Sequence, residues 1–296
     1  MKKFAWLLAG ALFPVAAMAA DAPGPDWAFL TPDANAPAPA PPGGGGGAPP
    51  APPAAQPGVP MIVVAGKGPE VRPCNTCHTP SGMGQPESAN IRGLNAAYFE
   101  RQMQDFKNGM RTGPRAGAMS GFAKNMTDDE IKEVAGYYAG LKPVQWTRIS
   151  ESNVAPKTTV NRISQRTRAE GTDTEEVGNR IIEFANSPAA VRQMADPAFI
   201  AFVPTGALGH GRALANTGGN GVTTACASCH GEKLQGMADV PGIAGRSPVY
   251  IARQIYSFKN GVRKGPMAEM MKSVVAKMSD EDVIAVSSYV ATLDPS

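Results

Sequence analysis

Cys74-Asn75-Thr76-Cys77-His78 is the first of two C-x-x-C-H pentapeptides in this chain, and the second is Cys226-Ala227-Ser228-Cys229-His230. Together they use all four cysteines and two of the three histidines. The pattern is typical of covalent haem c attachment, because two thiols at this spacing reach the two vinyl groups of one porphyrin and the adjacent histidine ligates its iron. The sequence therefore predicts two haem c groups, attached through Cys74, Cys77, Cys226 and Cys229 and ligated by His78 and His230.

Two other uses of a C-x-x-C pair are a zinc site and a disulfide of structural or redox function. A structural zinc site needs four ligands, and only His210 remains to add to the two pentapeptides. A disulfide inside each pair would leave His78 and His230 without a role. Two haem groups account for these residues better than either alternative.

The chain repeats itself at an offset of 152 residues, without a gap. Between 74–143 and 226–295, 25 of 70 positions are identical. The longest identical run pairs Phe106-Lys107-Asn108-Gly109 with Phe258-Lys259-Asn260-Gly261. Internal repetition of this length indicates a duplicated structural unit. The chain therefore carries one haem-binding domain twice.

The repeat also selects the sixth iron ligand from 14 methionines. Two methionine pairs coincide between the copies. Met126 and Met278 each precede a predicted helix, where an apolar residue packs against the first turn. Met119 and Met271 remain as the predicted axial ligands, and Met270 is a competitor in the second copy. Imidazole opposite a thioether predicts six-coordinate, low-spin iron with a raised reduction potential.

The first 60 residues are predicted to lie outside the folded domains. Residues 1–20 have the pattern of a secretory signal peptide, with Lys2 and Lys3, an apolar run and the cleavage pattern Ala17-Met18-Ala19. The apolar run is too short to span a bilayer. We therefore expect a periplasmic protein with no stable membrane span after cleavage. Residues 21–60 are rich in Pro, Ala and Gly and predict a disordered tether, in which an aromatic patch at 26–30 is a candidate docking element.

The charge balance argues against nucleic acid as a partner. The chain has 28 basic and 25 acidic residues, and Lys2 and Lys3 belong to the signal peptide. Nucleic-acid binding requires a strongly basic patch, and no such run occurs. Basic residues that include Arg111 and Arg263 follow a predicted helix in each copy. They are candidates for a docking surface, for partners of the haem propionates, or for a solvated helix end.

Both copies predict the same helices. One helix runs from about 96 to 107 and ends at Asn108-Gly109, residue types that suit a left-handed cap. The final helix begins at Thr127, where Glu130 completes a capping box, and ends at Gly140. Its equivalent in the second copy runs from 279 to 292.

The pattern resembles class I cytochromes c, and its doubling resembles the dihaem cytochromes of the cytochrome c4 type. The likeness covers about 140 residues in two blocks. It is carried by Tyr250-Ile251-Ala252-Arg253-Gln254, by Phe258-Lys259-Asn260-Gly261-Val262-Arg263 and by Met278-Ser279-Asp280-Glu281-Asp282-Val283. It implies an all-α fold of two tandem class I cytochrome c domains joined by a long, partly ordered segment, with electron transfer as the function.

In that family a helix precedes the haem motif and packs on the last helix. The second copy supplies one at 208–216, whereas the first has only 61–71, which contains two glycines. The expected division is a signal peptide at 1–20, a tether at 21–60, domains at 61–143 and 206–296, and a connecting segment at 144–205.

The connecting segment is too long for a structureless loop. We expect it to pack across one or both domains, with a helix as a candidate near 175–184 and an apolar run at 199–203.

The leading functional hypothesis is an exported carrier of single electrons rather than an enzyme, with no catalytic residues. Its partners would be redox proteins such as a dehydrogenase, a quinol-oxidising complex or a terminal oxidase. A cytochrome subunit of a dehydrogenase complex is an alternative that the sequence does not separate from a free carrier. A dihaem peroxidase is less favoured, since it needs a vacant iron position and nearby acid and base groups, and the spare His210 is expected at a helix surface.

Overall fold

The computed structural model describes residues 57–113, 116–160, 165–187 and 198–296. The predicted signal peptide, most of the tether and the aromatic patch at 26–30 lie outside the described residues. Within the described part of the chain, no helix combines the length and apolar character needed to cross a bilayer.

Two helical units, one for each haem motif, follow the same order of elements. The helices of the first unit are α1 (Met61–Val64), α2 (Cys74–His78), α3 (Ala96–Lys107), α4 (Ala116–Lys124) and α5 (Asp128–Ala139). Those of the second are α6 (Ala207–Thr217), α7 (Ala227–His230), α8 (Pro248–Lys259), α9 (Ala268–Val275) and α10 (Asp280–Ala291). The units therefore have the tandem arrangement that the repeat predicts, while the domain limits themselves stay a prediction.

Local sequence signals place the helix ends where they were expected. Asn95 caps α3 by accepting a hydrogen bond from the backbone N–H of Tyr98, and Gly109 takes a left-handed φ of 70° after the helix. Reciprocal side-chain and backbone bonds between Thr127 and Glu130 form the predicted capping box of α5. A second capping box starts α10. These caps satisfy backbone donors that a helix start otherwise leaves unpaired.

The two units cover their last helix differently. In the second unit, the eleven-residue α6 packs against α10. In the first, α1 has only four residues, although Ile62, Val63 and Val64 are all buried in the core that also holds the inner face of α5. The sequence correctly predicts a full helix ahead of the second haem motif and none ahead of the first.

The described part of the connecting segment forms strands, so the all-α prediction is wrong for this part of the chain. The strands are β1 (Thr147–Glu151), β2 (Val154–Pro156), β3 (Thr158–Val160), β4 (Arg166–Arg168), β5 (Thr174–Glu176), β6 (Ile182–Ala185) and β7 (Phe199–Val203). One sheet has β7 at its centre, parallel to β1 and antiparallel to β6. Two-stranded pairs join β2 with β5 and β3 with β4. A short hairpin of β8 (Gly236–Met237) and β9 (Val240–Pro241) follows the second haem motif.

The helix considered near 175–184 is also wrong. Gly178 has a φ of 54°, a left-handed conformation that interrupts a helix, and the segment divides there into β5 and β6. In β7 burial alternates along the strand, which is the period of a pleated sheet and not of a helix.

The connecting segment packs on both units, as expected. On one side, Ile181, Ala201 and Val203 join the core of the second unit. On another, Trp146 and Phe199 bury Met83 of the first unit. The strands therefore contact both helical units.

A buried carboxyl group anchors this segment to the second unit. Glu183 of β6 accepts hydrogen bonds from the Thr147 hydroxyl at 3.0 Å, the Ser247 hydroxyl at 2.6 Å and the Val249 backbone N–H at 3.2 Å. Ser247 is the N-cap of α8, so Glu183 lies at the start of that helix. Burial raises the pKa of Glu183 to about 7, although the hydrogen bonds to its oxygens act in the opposite direction.

Glu183→Gln should reduce the dependence of stability on pH. Because the folded protein holds the Glu183 proton more tightly than the unfolded chain does, this group stabilises the fold fully below its ordinary pKa of 4.5. That contribution is lost as pH rises through about 7. The free energy of unfolding, from urea titrations at pH 5 and pH 8, should therefore fall with pH by up to roughly 3 kcal/mol more in the natural protein than in the variant. Equal pH dependence in both would contradict this role, and Glu176→Gln at an exposed position is the control.

Gly211→Ala should destabilise the second unit. A Cβ atom at position 211 would lie 2.0 Å from the Ala285 carbonyl oxygen and 2.8 Å from the Tyr289 Cβ atom, so α6 and α10 would have to separate. Overpacking of this kind costs about 1–3 kcal/mol. Gly209→Ala in the same helix is the matched control, since a Cβ atom there meets no atom within 4 Å. This substitution should raise the free energy of unfolding by about 0.5–1 kcal/mol. Urea unfolding followed by circular dichroism measures both, and similar effects at the two positions would refute the close contact.

Candidate haem-binding sites

Each C-x-x-C-H motif lies at a short helix that positions its three side chains. In both copies the first cysteine is partly buried and the second is exposed, and all four are free thiols. Burial raises the pKa of Cys74 and of Cys226 to about 11. The side chains of one motif thus lie together along one wall of a cleft, as attachment to a single porphyrin requires.

Both proximal histidines are held by a backbone carbonyl group. The Nδ1 atom of His78 lies 2.7 Å from the Ala89 carbonyl oxygen, and that of His230 lies 2.8 Å from the Pro241 carbonyl oxygen. Since a carbonyl oxygen only accepts, Nδ1 carries the proton and Nε2 keeps its lone pair for a metal. Burial lowers the pKa of both histidines, which favours the neutral ring that ligation needs.

The predicted site residues of each copy line one cleft. The first cleft is lined by Cys74, Cys77, His78 and Met119 among apolar residues. The second is lined by Cys226, Cys229, His230 and Met271. The structure brings each set together, and ligation by these methionines stays a prediction.

Other methionines also reach the clefts. Met270 lines the second cleft but is 56% exposed, whereas Met271 packs partly buried against the core. Adjacent residues of a helix point about 100° apart, so only one of these two side chains can face inward. Met126 and Met278 line the clefts as well, buried immediately ahead of α5 and α10.

The two clefts meet at an interface with approximate twofold symmetry. The Thr112 N–H donates to the Val262 carbonyl oxygen at 2.8 Å, and the Lys264 N–H donates to the Met110 carbonyl oxygen at 2.6 Å. These two bonds relate equivalent positions of the repeat. They join the segments that follow α3 and α8, directly after the repeated Phe-Lys-Asn-Gly motif of each unit.

Arginines and glutamines of the two copies form hydrogen bonds across this interface. Arg111 donates to Gln102 of its own unit at 3.0 Å and to Gln254 of the other at 2.8 Å. Arg263 donates to Gln254 at 3.1 Å and to Gln102 at 2.5 Å. Of the alternatives that the sequence left open for these arginines, a solvated helix end is wrong, because both lie at the contact between units.

The charges of the clefts fit a haem with its two propionate groups. Among the described residues, no carboxylate forms an ion pair with Arg111, Arg246 or Arg263, and all three line a cleft. A buried positive charge without a negative counter-charge is costly, and a propionate would offset that cost. Sequence reasoning missed Arg246, because it stands opposite Leu94 in the repeat and no pattern marks it.

The remaining histidine lies away from the second cleft. The Nε2 atom of His210 is 2.7 Å from a carboxylate oxygen of Asp282, and its side chain is 43% exposed. Asp282 belongs to the first turn of α10. The expectation that His210 is a surface residue of a helix is therefore confirmed.

Comparisons with known proteins agree with this geometry. A family model described as "Cytochrome c" matches residues 215–294, and one described as "Cytochrome C oxidase, cbb3-type, subunit III" matches residues 71–137. The cytochrome c-554(547) of Halothiobacillus neapolitanus is 37% identical over 76 residues, which are 23% of this chain and 84% of that protein. The chain belongs to the cytochrome c family.

Longer similarities extend across both units. The cytochrome c4 of Azotobacter vinelandii is 26% identical over 239 residues, covering 77% of this chain and 88% of that protein. A thiosulfate dehydrogenase electron acceptor of Stutzerimonas stutzeri is 25% identical over 239 residues, covering 80% and 86%. The structure of the cytochrome c4 of Acidithiobacillus ferrooxidans shares the fold, with a TM-score of 0.51 at 20% identity over 74% of this chain and 98% of that one. The cytochrome is therefore a cytochrome c4-like dihaem protein with two covalently bound haem c groups, and its function is electron transfer.

Proposed function

We propose that this cytochrome is an exported carrier that relays single electrons through two haems, each ligated by one histidine and one methionine. The observation that carries the proposal is that each cleft gathers both cysteines, the proximal histidine and the repeat-conserved methionine of its own unit. Each bound haem supplies an iron that gains or loses one electron. The signal-peptide pattern of residues 1–20 supports a periplasmic location.

The protein residues set the properties of each iron. A neutral imidazole fixed by its Nδ1–H bond keeps a constant ring orientation. A methionine thioether as the second protein ligand would stabilise the ferrous state relative to a second imidazole and so would raise the reduction potential. In the first unit, the buried side chains of Phe99, Phe106 and Val134 give the cleft an apolar lining.

The common wall of the clefts supports transfer between the haems. Tyr98, Gln102, Tyr250, Gln254 and Arg263 line both clefts. Haems held in the two clefts would share these lining residues, and the interfacial arginines could hold their propionates. The two haems would then work as one relay, in which an electron accepted at one unit leaves from the other.

The proposed electron donor is a dehydrogenase, and thiosulfate dehydrogenase is the specific candidate. Its support is the relative named as the electron acceptor of that enzyme, which resembles this chain over most of its length. A terminal oxidase is the proposed acceptor. A permanent subunit of a dehydrogenase complex is consistent with the same relative and differs in whether the partner dissociates.

Met119→Ala and Met271→Ala should each remove the iron–sulfur bond of one haem. The far-red absorption band of the ferric protein, which reports that bond, should fall by about half in each variant and vanish in the double variant. The affected reduced haem should become high-spin and bind carbon monoxide. Met270→Leu and His210→Ala are the controls and should leave the band intact. Survival of the band in the double variant would disprove the ligand assignment.

The donor can be tested by mixing the oxidised cytochrome with purified thiosulfate dehydrogenase and thiosulfate. Both haems should become reduced within seconds, as followed by their visible absorption, and omission of either the enzyme or thiosulfate should prevent it. The same mixture on a sizing column separates a free carrier from a subunit. Reduction that does not exceed the enzyme-free rate would exclude this donor.

A further inference from the structure

Arg246 contacts the loop that holds the proximal histidine of the other unit. Its Nη1 atom donates to the Asn90 carbonyl oxygen at 2.5 Å. Asn90 directly follows Ala89, whose carbonyl group accepts the hydrogen bond from His78. One guanidinium nitrogen of the second unit is thus one peptide unit away from the contact that orients the first proximal imidazole.

The same guanidinium group contacts the equivalent loop of its own unit. The Nε atom of Arg246 donates to the Gly242 carbonyl oxygen at 2.6 Å. Gly242 follows Pro241, whose carbonyl group accepts from His230. Gly242 and Asn90 are equivalent positions of the repeat, as are Pro241 and Ala89. A single side chain therefore joins the two proximal loops at matching points.

Arg246 is also a buried charge, and only the second copy has an arginine at this position of the repeat. It is 6% exposed, and no described carboxylate lies within ion-pair distance of it. Burial lowers its pKa, but a guanidinium group stays protonated in proteins. The equivalent position of the first copy is Leu94. The contact between Arg246 and the two proximal loops is thus made once and shared by both units, although the fold is repeated.

The other interfacial arginines do not have this role. Arg111 and Arg263 donate to Gln102 and Gln254, which are side chains of α3 and α8 and not parts of the proximal loops. They also occur as a symmetric pair, one for each unit. Only Arg246, among the described residues, bonds to the loops of both proximal histidines.

We propose that Arg246 is a positioning residue common to both haems, which fixes the two proximal loops against each other and raises the reduction potential of both irons. The inference rests on the proposed two-haem function. A positive charge in a buried site favours the ferrous state over the ferric state, because the ferrous iron carries one positive charge less. Low exposure limits the screening of this effect by solvent and salt.

The test is a potentiometric titration of the intact dihaem protein carrying Arg246→Gln. Both midpoint potentials should shift downward, and the proton NMR signals of the haem methyl groups assign each step to its haem. Arg101→Gln is the matched control, since Arg101 also bridges the units but pairs with Asp239 at a partly exposed position, at 2.7 Å. It should change both potentials much less. A shift confined to the second haem, or equal shifts in the two variants, would overturn the proposal.

Arg246→Lys separates positioning from charge and remains informative if the glutamine variant folds poorly. Lysine keeps the charge, but its single ammonium group cannot reproduce the forked contact with two carbonyl groups. Potentials between those of the natural protein and the glutamine variant, with altered electron paramagnetic resonance of the ferric haems, would support the proposal. Spectra and potentials identical to those of the natural protein would overturn the positioning role. Two haems with an intact far-red band in these variants show that the proposed function stands, whichever way this test falls.

Discussion

The hydrogen bond from each proximal imidazole to a backbone carbonyl is the contact on which the rest of the structure depends. The histidine directly follows the second cysteine of each motif, so attachment of the cysteines would fix its backbone but not the orientation of its ring. The carbonyl groups of Ala89 and Pro241 fix the ring, and each lies in a loop 11 residues beyond its histidine. The loops must therefore be held rigidly, and much of the surrounding structure does so.

The repeated motif after α3 and α8 is explained by what it holds in place. Lys107 donates to the Met126 carbonyl oxygen and to Asp128, so it ties the end of α3 to the start of α5. Lys259 donates to the Met278 carbonyl oxygen in the same way. In each unit the chain between these two points carries the predicted methionine ligand. The identical run thus ties the end of α3 or α8 to the start of the last helix of its unit. The residues that bond the two units to each other follow it directly.

Features encoded over short distances could be predicted from the sequence, and features made by distant contacts could not. The haem motifs, the helix limits and both methionine candidates follow from local spacing and from comparison of the two copies. The sheet was missed because β1 pairs with β7, some fifty residues later, and its short apolar runs suit either a strand or a helix. Glu183 and Arg246 were missed for a related reason. Each is a single polar residue with its partners on distant segments, and neither has a counterpart in the repeat.

The strands of the connecting segment are fixed to both helical units. Trp146 and Phe199 bury a side chain of the first unit, while Glu183 and Val203 are fixed in the second. Separating the two units at their interface would require these strands to lose their packing, and buried apolar area would be exposed on two faces. The relative position of the two clefts is consequently set when the chain folds. A partner that docks therefore meets two sites already held in place, and spends none of its binding energy on bringing them together.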